Sequence, residues 1–323
     1  MTDDPSLQAE SKPSVRRVEW GFASFAILWS LWLVGQVARD RFWLTGLCFY
    51  IPSPVMAAVG LVAASVLGYR KNGRISTLLG LMTLAPTLMV GFVENHWSRP
   101  LAEASAGPSV RLVHWNIAYG VWGLAGVEQE LVRRRATIYV LSEVPLPYDL
   151  TKLAARLGPY HVAVRMGSMA VIATGQLLDP TELVNEKNLK VNSVTWEDGG
   201  QPLKIFAVDA TSNLLVARDP HLRRLVSLMK QHHPDLVAGD FNAPRRSRSL
   251  CPLPDGFAHA YDVAGQGWSA TWPVVGPLYA IDQCLISASI LPTKYELWSN
   301  RFSDHRLQEL DFIPRSATER ESR

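Results

Sequence analysis

Gly239-Asp240-Phe241-Asn242 ends the apolar run Leu236-Val237-Ala238, and the fold turns on how this stretch is read. In an extended segment, residues at i and i+2 project to the same face, so Asp240 and Asn242 stand side by side where the run stops. The acid can hold or deprotonate an attacking water, while the neutral amide donates to a phosphoryl oxygen without competing for a metal. The same tetrapeptide also reads as an Asn-bearing turn that caps the next element. Four companions favour the chemical reading: Asn116 in His114-Trp115-Asn116, Glu143 in Leu141-Ser142-Glu143, Asp282 in Ile281-Asp282-Gln283, and Ser303-Asp304-His305. Together they outline a metal-dependent phosphoesterase site.

Each companion stands at the end of a predicted strand or in the turn after it, where loops gather groups from distant sequence. Glu143 follows the apolar 138–141, so its carboxylate leaves the sheet edge and becomes the expected metal ligand. A hard cation such as Mg²⁺ or Mn²⁺ takes oxygen ligands and keeps several waters, so one or two carboxylates beside a phosphate are enough. Asp304 and Asp282 supply carboxylates near His305. A carboxylate bonded to one ring nitrogen fixes the tautomer and leaves the other to meet developing charge. The histidines at 114, 161, 221, 232, 233 and 259 lack such partners and read as surface or core residues.

These five motifs, in this order, resemble the endonuclease/exonuclease/phosphatase superfamily of deoxyribonuclease I-like folds, over 110–314. The resemblance implies a four-layer α/β sandwich with two central mixed sheets and a divalent metal, Mg²⁺ or Mn²⁺. By the same resemblance, Asn116 binds the metal-phosphate centre, Glu143 the metal, Asp240 the nucleophilic water and Asn242 the phosphate. Asp282 orients His305, Asp304 sits near the metal or its waters, and His305 stabilises the transition state. Thr271-Trp272-Pro273 also matches a recurrent family stretch, with a structural role implied. The pattern departs at Phe206-Ala207-Val208-Asp209-Ala210, where many members end the strand with histidine. Asp209 is then placed in the phosphate pocket, where it repels phosphate unless protonated or metal-bound. Ser142 and Ala118 also depart from common family residues. The alternative function is a catalytically degenerate domain that binds a phosphorylated ligand or a partner protein.

Around these motifs, strand-length apolar runs at 110–117, 137–141, 161–164, 170–174, 189–196, 203–208, 236–238 and 280–287 alternate with helical patterns at 127–135, 150–157 and 221–232. A sheet-rich α/β domain is expected. The basic cluster Arg245, Arg246 and Arg248 reads as solvated surface or as a phosphate track, and the net charge of +3 makes no electrostatic case for nucleic acid. Cys251 and Cys284 are either a disulfide or two buried thiols.

The chain has 323 residues, 48% of them hydrophobic and 19% charged, and the apolar excess is concentrated at 20–38, 43–69 and 75–93. At roughly 1.5 Å per residue, each run spans about 30 Å of hydrocarbon. Three transmembrane helices are expected, with a signal peptide followed by buried helices as the alternative. The expected organisation is a cytoplasmic segment 1–17, a membrane anchor 18–95, a linker 96–109, the catalytic domain 110–314 and a polar tail 315–323. Lys12, Arg16, Arg17, Arg70, Lys71 and Arg74 outweigh Arg39, Arg41 and Arg99, which puts the first group in the cytoplasm. Three crossings in the cytoplasmic membrane then leave the domain outside; a re-entrant second run near Pro52 and Pro54 would place it inside. The expected partners are the lipid bilayer and a phosphodiester substrate, either nucleic acid or a lipid headgroup, with no protein partner evident.

Overall fold

A computed structural model describes residues 12–69, 73–98 and 109–315. The expected segment 1–17 is covered only from Lys12. The linker at 99–108, the tail beyond Arg315 and the flanking residues Arg70, Lys71 and Arg99 lie outside the described residues. The chain forms two compact units, Met1–Glu94 and Asn95–Arg323.

The first unit holds α1 (Lys12–Ala38), α2 (Trp43–Phe49), α3 (Ser53–Tyr69) and α4 (Gly73–Leu88), the last running into a π-helical turn at Met89–Glu94. Two stretches are long and apolar enough to cross a membrane, Trp20–Ala38 and Gly73–Glu94. The second run, expected as one helix, is instead two helices bent by 56°. Pro52 lies at the break. It lacks an N–H and disfavours helical geometry at Ile51, whereas Pro54 is tolerated in the first turn of α3. This bent pair is a third span only if it crosses as one unit. Small residues set the helix contacts: a Cβ on Gly60 would lie 2.1 Å from Thr83 Oγ1, and one on Gly35 would lie 2.3 Å from the Cys48 backbone.

The second unit is built on two six-stranded sheets. One has the order β11-β12-β1-β2-β4-β3, comprising β1 (Val110–Asn116), β2 (Ile138–Ser142), β3 (His161–Met166), β4 (Met169–Thr174), β11 (Ile290–Trp298) and β12 (Leu307–Pro314). The other has the order β5-β6-β7-β8-β10-β9, comprising β5 (Gln176–Glu186), β6 (Leu189–Glu197), β7 (Leu203–Ala210), β8 (Leu236–Asp240), β9 (Phe257–His259) and β10 (Asp282–Ser287). Both sheets are mixed: β1 runs parallel to β2 and β7 parallel to β8, and the other pairings are antiparallel.

Both faces of the central strands are buried, and the two-residue side-chain period divides them between layers. Ile138 and Val140 of β2 join Ile205, Ala207, Leu236 and Ala238 in the core between the sheets. Tyr139 and Leu141 turn outward to pack under α5 (Leu124–Arg134) and α6 (Leu150–Leu157), with Val127, Leu131 and Leu153. Phe206, Val208 and Val237 pack on Leu222, Leu225 and Met229 of α7 (Asp219–His232). Helix, sheet, sheet and helix layers result, as the family resemblance implied. Strands β5, β9, β11 and β12 were not expected. The unit also includes Asn95, whose Oδ1 accepts from the Ser269 N–H at 2.7 Å. Cys251 and Cys284 are free thiols, Cys251 exposed and Cys284 buried, so neither a disulfide nor a pair of buried thiols is found.

Candidate active site

Strand parity places the site. Leu112 of β1 and Ala238 of β8 face the core between the sheets, so Asn116 and Asp240, four and two residues further on, face the same layer at its edge. Asn116 Nδ2 donates to Asp240 Oδ2 at 3.0 Å and joins the two sheets there. Asn116 Oδ1 accepts from the Ala118 N–H at 2.9 Å, which fixes the amide's orientation. Gly239 lets β8 reach this position: a Cβ there would lie 2.0 Å from the Val208 carbonyl oxygen.

Asp240 Oδ1 accepts from the Asn242 N–H at 2.8 Å, and Asn242 Nδ2 donates to the Ala210 carbonyl at 2.9 Å. Asp282 begins β10 opposite Asp240, and its Oδ2 lies 2.9 Å from His305 Nδ1. His305 Nε2 points back toward Asp240 Oδ2 at 3.9 Å. The loop carrying His305 is held by Ser303 Oγ, which donates to the Asn116 carbonyl at 2.7 Å, and by Trp115 Nε1, which donates to the His305 carbonyl at 3.0 Å.

Charge is unevenly shared. Burial lowers the proton affinity of His305, but the charge and hydrogen bond of Asp282, with Asp240 and Asp304 behind, outweigh it and raise the pKa to about 10. Burial and the Asp282 charge push Asp240 well above the usual carboxylate range, against the opposing effects of His305, Asn242 and Asn116. For Asp282, burial is outweighed by His305, so its pKa is lowered. His305 therefore lies between Asp282 and Asp240, and Asp282 is the partner that holds its proton most strongly.

Glu143 emerges from β2 in a left-handed conformation, φ 54°, and its carbonyl accepts from Tyr119 N at 2.8 Å. Tyr119 (φ 53°) and Asn242 (φ 46°) share that uncommon geometry, so strained backbone clusters around the site. Burial, with the charges of Asp209 and Asp304, raises the Glu143 pKa despite its Asn116 hydrogen bond. Asp304 Oδ2 accepts from Trp272 Nε1 at 2.9 Å, while its buried Oδ1 has no hydrogen-bond partner. A destabilised carboxylate and an orphaned carboxylate oxygen form a donor set that fits a hard divalent cation. Ligand atoms of Asp240, Asp282 and His305 also lie within 4.8 Å of one another. Of these contacts, His305 Nδ1–Asp282 Oδ2 at 2.9 Å is within hydrogen-bond reach and His305 Nε2–Asp240 Oδ2 at 3.9 Å is a longer ion-pair contact.

Asp209 does not stand bare. Its Oδ2 lies 3.3 Å from Lys190 Nζ, which also donates to Ser168 Oγ at 3.0 Å. The expected repulsion of phosphate omitted this cation, which comes from the neighbouring strand and pairs in register with Asp209. Sequence reasoning also missed Ser168 and Tyr119, and it gave Thr271-Trp272 only a structural role. Thr271 Oγ1 accepts from the Ile281 and Asp282 N–H groups, so this pair of residues positions both Asp282 and Asp304. His114, one of the histidines set aside, is buried under the site between Gln308 and Ser142; burial lowers its pKa to about 4. Arg245 is buried, paired with Asp262 at 2.8 Å and stacked on Tyr261, so it belongs to neither a solvated surface nor a phosphate track.

No protein-family model and no curated protein matches the chain. Solved structures do. The D. rerio TDP2 complex with a single-strand DNA product superposes with a TM-score of 0.53 at 15% identity, over 64% of this chain and 100% of that one. An endonuclease/exonuclease/phosphatase family protein from Bacteroides thetaiotaomicron gives 0.53 at 12% identity, over 65% and 99%. A mannosyl-6-phosphatase from the same organism gives 0.52 at 12%, over 63% and 99%. The second unit therefore has the fold of endonuclease/exonuclease/phosphatase proteins.

Proposed function

We propose that the chain is a membrane-anchored, divalent-metal-dependent phosphodiesterase whose catalytic domain lies outside the cytoplasm. The observation that carries this reading is the Asn116–Asp240–His305–Asp282 chain of contacts, which joins the two sheets at the edge where Glu143 and Asp304 emerge. Asp240, with its raised proton affinity, accepts a proton from the attacking water. His305, held by Asp282, offers Nε2–H to a phosphoryl oxygen as charge grows there, and Asn116 keeps Asp240 oriented. Asn242, beside Asp240, holds the phosphate. Glu143 and Asp304 would hold Mg²⁺ or Mn²⁺, which supplies Lewis-acid stabilisation of the phosphoryl oxygens when bound. The alternative, a degenerate binding domain, draws on the missing strand-end histidine, but Lys190 offsets the charge of Asp209 at that position.

A panel of phosphodiesters and phosphomonoesters, including single-stranded DNA and phospholipids, offered to the purified full chain tests the proposal. Hydrolysis that needs Mg²⁺ or Mn²⁺ and stops in chelator is expected. Failure on every member, with metal still bound, supports the binding domain instead.

A further inference from the structure

The loops around the site form a rim with an unusual surface. Because β1 is parallel to β2, and β7 to β8, the loops that follow β1, β2 and β7 leave at the site edge. The loop at 265–281 arrives at the same edge, since β10 runs antiparallel to β8. These loops present large apolar side chains to solvent: Val121 (70% exposed), Trp122, Leu146 (73%), Leu214, Leu215 (74%) and Val275 (91%). Scattered exposed apolar residues are ordinary, but side chains this exposed on four separate loops around one mouth are not. The segments 117–123, 144–148, 211–217 and 265–281 contain no Asp, Glu, Lys or Arg. Two further loops reach this edge: 243–250 carries Arg246 and Arg248 beside the buried Arg245 and has no acid, and 299–306 carries Arg301 and Arg306 beside the site's own Asp304 and His305.

A nucleic acid tracks a surface through Lys and Arg contacts to its phosphates, and its bases stack on aromatic faces. The four loops that carry the exposed apolar tips have no charged residue, and Val121, Leu146, Leu214, Leu215 and Val275 outnumber the exposed aromatics Tyr119 and Trp122 on them. A lipid interface asks for apolar tips that enter the acyl boundary with basic residues nearby for the headgroups. The same chain carries helices apolar enough to cross a bilayer, so lipid is the surface it meets at highest local concentration. We propose that the rim docks on a lipid surface and that the substrate is a phosphodiester borne by a lipid, its chain held at the interface while the headgroup phosphate enters the site. This rests on the phosphodiesterase reading above and narrows its substrate class.

The test uses the full chain in phosphatidylcholine nanodiscs, with three probes: hexadecyl p-nitrophenyl phosphate in the disc, ethyl p-nitrophenyl phosphate in the buffer, and a single-stranded DNA oligonucleotide. The two p-nitrophenyl esters share one scissile bond and differ only in their anchoring chain. The hexadecyl ester should be cleaved faster, and Leu215→Ser with Val275→Ser should lower the ratio of hexadecyl to ethyl rates by about tenfold or more, the size expected when two exposed aliphatic contacts with lipid are lost. The helices keep the variant on the disc, so the ratio reads the rim and not attachment. A ratio that the variants leave unchanged, or faster cleavage of the ethyl ester or the oligonucleotide, overturns the lipid proposal while the phosphodiesterase reading stands. Inactivity on all three probes in Mg²⁺ and Mn²⁺ removes that reading itself, and this proposal with it.

Discussion

Lys190 and Asp209 illustrate how one side chain changes the meaning of another. An aspartate at this position is a repulsive group in sequence, and in the fold it pairs with Lys190 of the neighbouring strand. Lys190→Met should strand the Asp209 carboxylate beside Glu143 and lower kcat/KM by about ten- to a hundredfold, the range for losing one charged contact. Asp209→Ala in that background should recover part of the loss, and a double-mutant cycle on kcat/KM measures the coupling. Additive effects would show that the pair acts independently. The pH profile follows from His305 and Asp240. Rate should fall on the acid side as Asp240 takes up a proton above the usual carboxylate range, and on the alkaline side as His305 loses one near pH 10. Asp282→Asn removes the charge that holds the His305 proton and should move the alkaline limb down by at least about one pH unit. The same linkage bears on stability: the His305 pKa is raised on folding, so its contribution is full below about pH 6.5 and is lost as pH climbs through about 10. Asn116, Glu143 and Asp240 were legible because each ends or follows an apolar run, whereas Asp282 opens β10 and Asp304 precedes β12, so only their motifs marked them. Lys190, Ser168 and Tyr119 were not legible, because register alone brings them in and no local pattern marks register.

The central strands were legible because both faces are buried and their apolar runs are uninterrupted. The edges were not. β5 carries Asp179, Pro180 and register shifts, and β11 carries Pro292 beside its own shift, so neither shows clean alternation. β12 buries Gln308 and Glu309 among its apolar residues, which hides its strand pattern, and β9 has only three residues. The second apolar run was legible as membrane-like, but its division into α2 and α3 depends on how Pro52 is used. Within the sheets, Gly239 is the tightest point near the site. Gly239→Ala should force β7 and β8 apart, destabilising the domain by about 1–3 kcal/mol and lowering activity with it, as thermal unfolding and rate measurements on one preparation would show. An unchanged Tm would mean that the strands tolerate the added methyl.

Across the whole molecule, the basic flanks of the apolar helices set the expected topology. A reporter fused after Arg323 should behave as extracytoplasmic, and one inserted between Lys71 and Asn72 as cytoplasmic. The reverse pattern would return the domain to the cytoplasm and make a nuclease the better reading. The central claim is that the group joining the two sheets performs hydrolysis, and Asp240→Asn tests it most directly. This change keeps size and the contact region with Asn116 but removes the proton acceptor. Measured in saturating Mg²⁺ or Mn²⁺ on the phosphodiester that wild type cleaves best, kcat should fall by about 10²–10⁴, the usual contribution of a positioned general base, with Tm and metal binding retained. A variant that folds, binds metal and turns over within about tenfold of wild type would contradict the account.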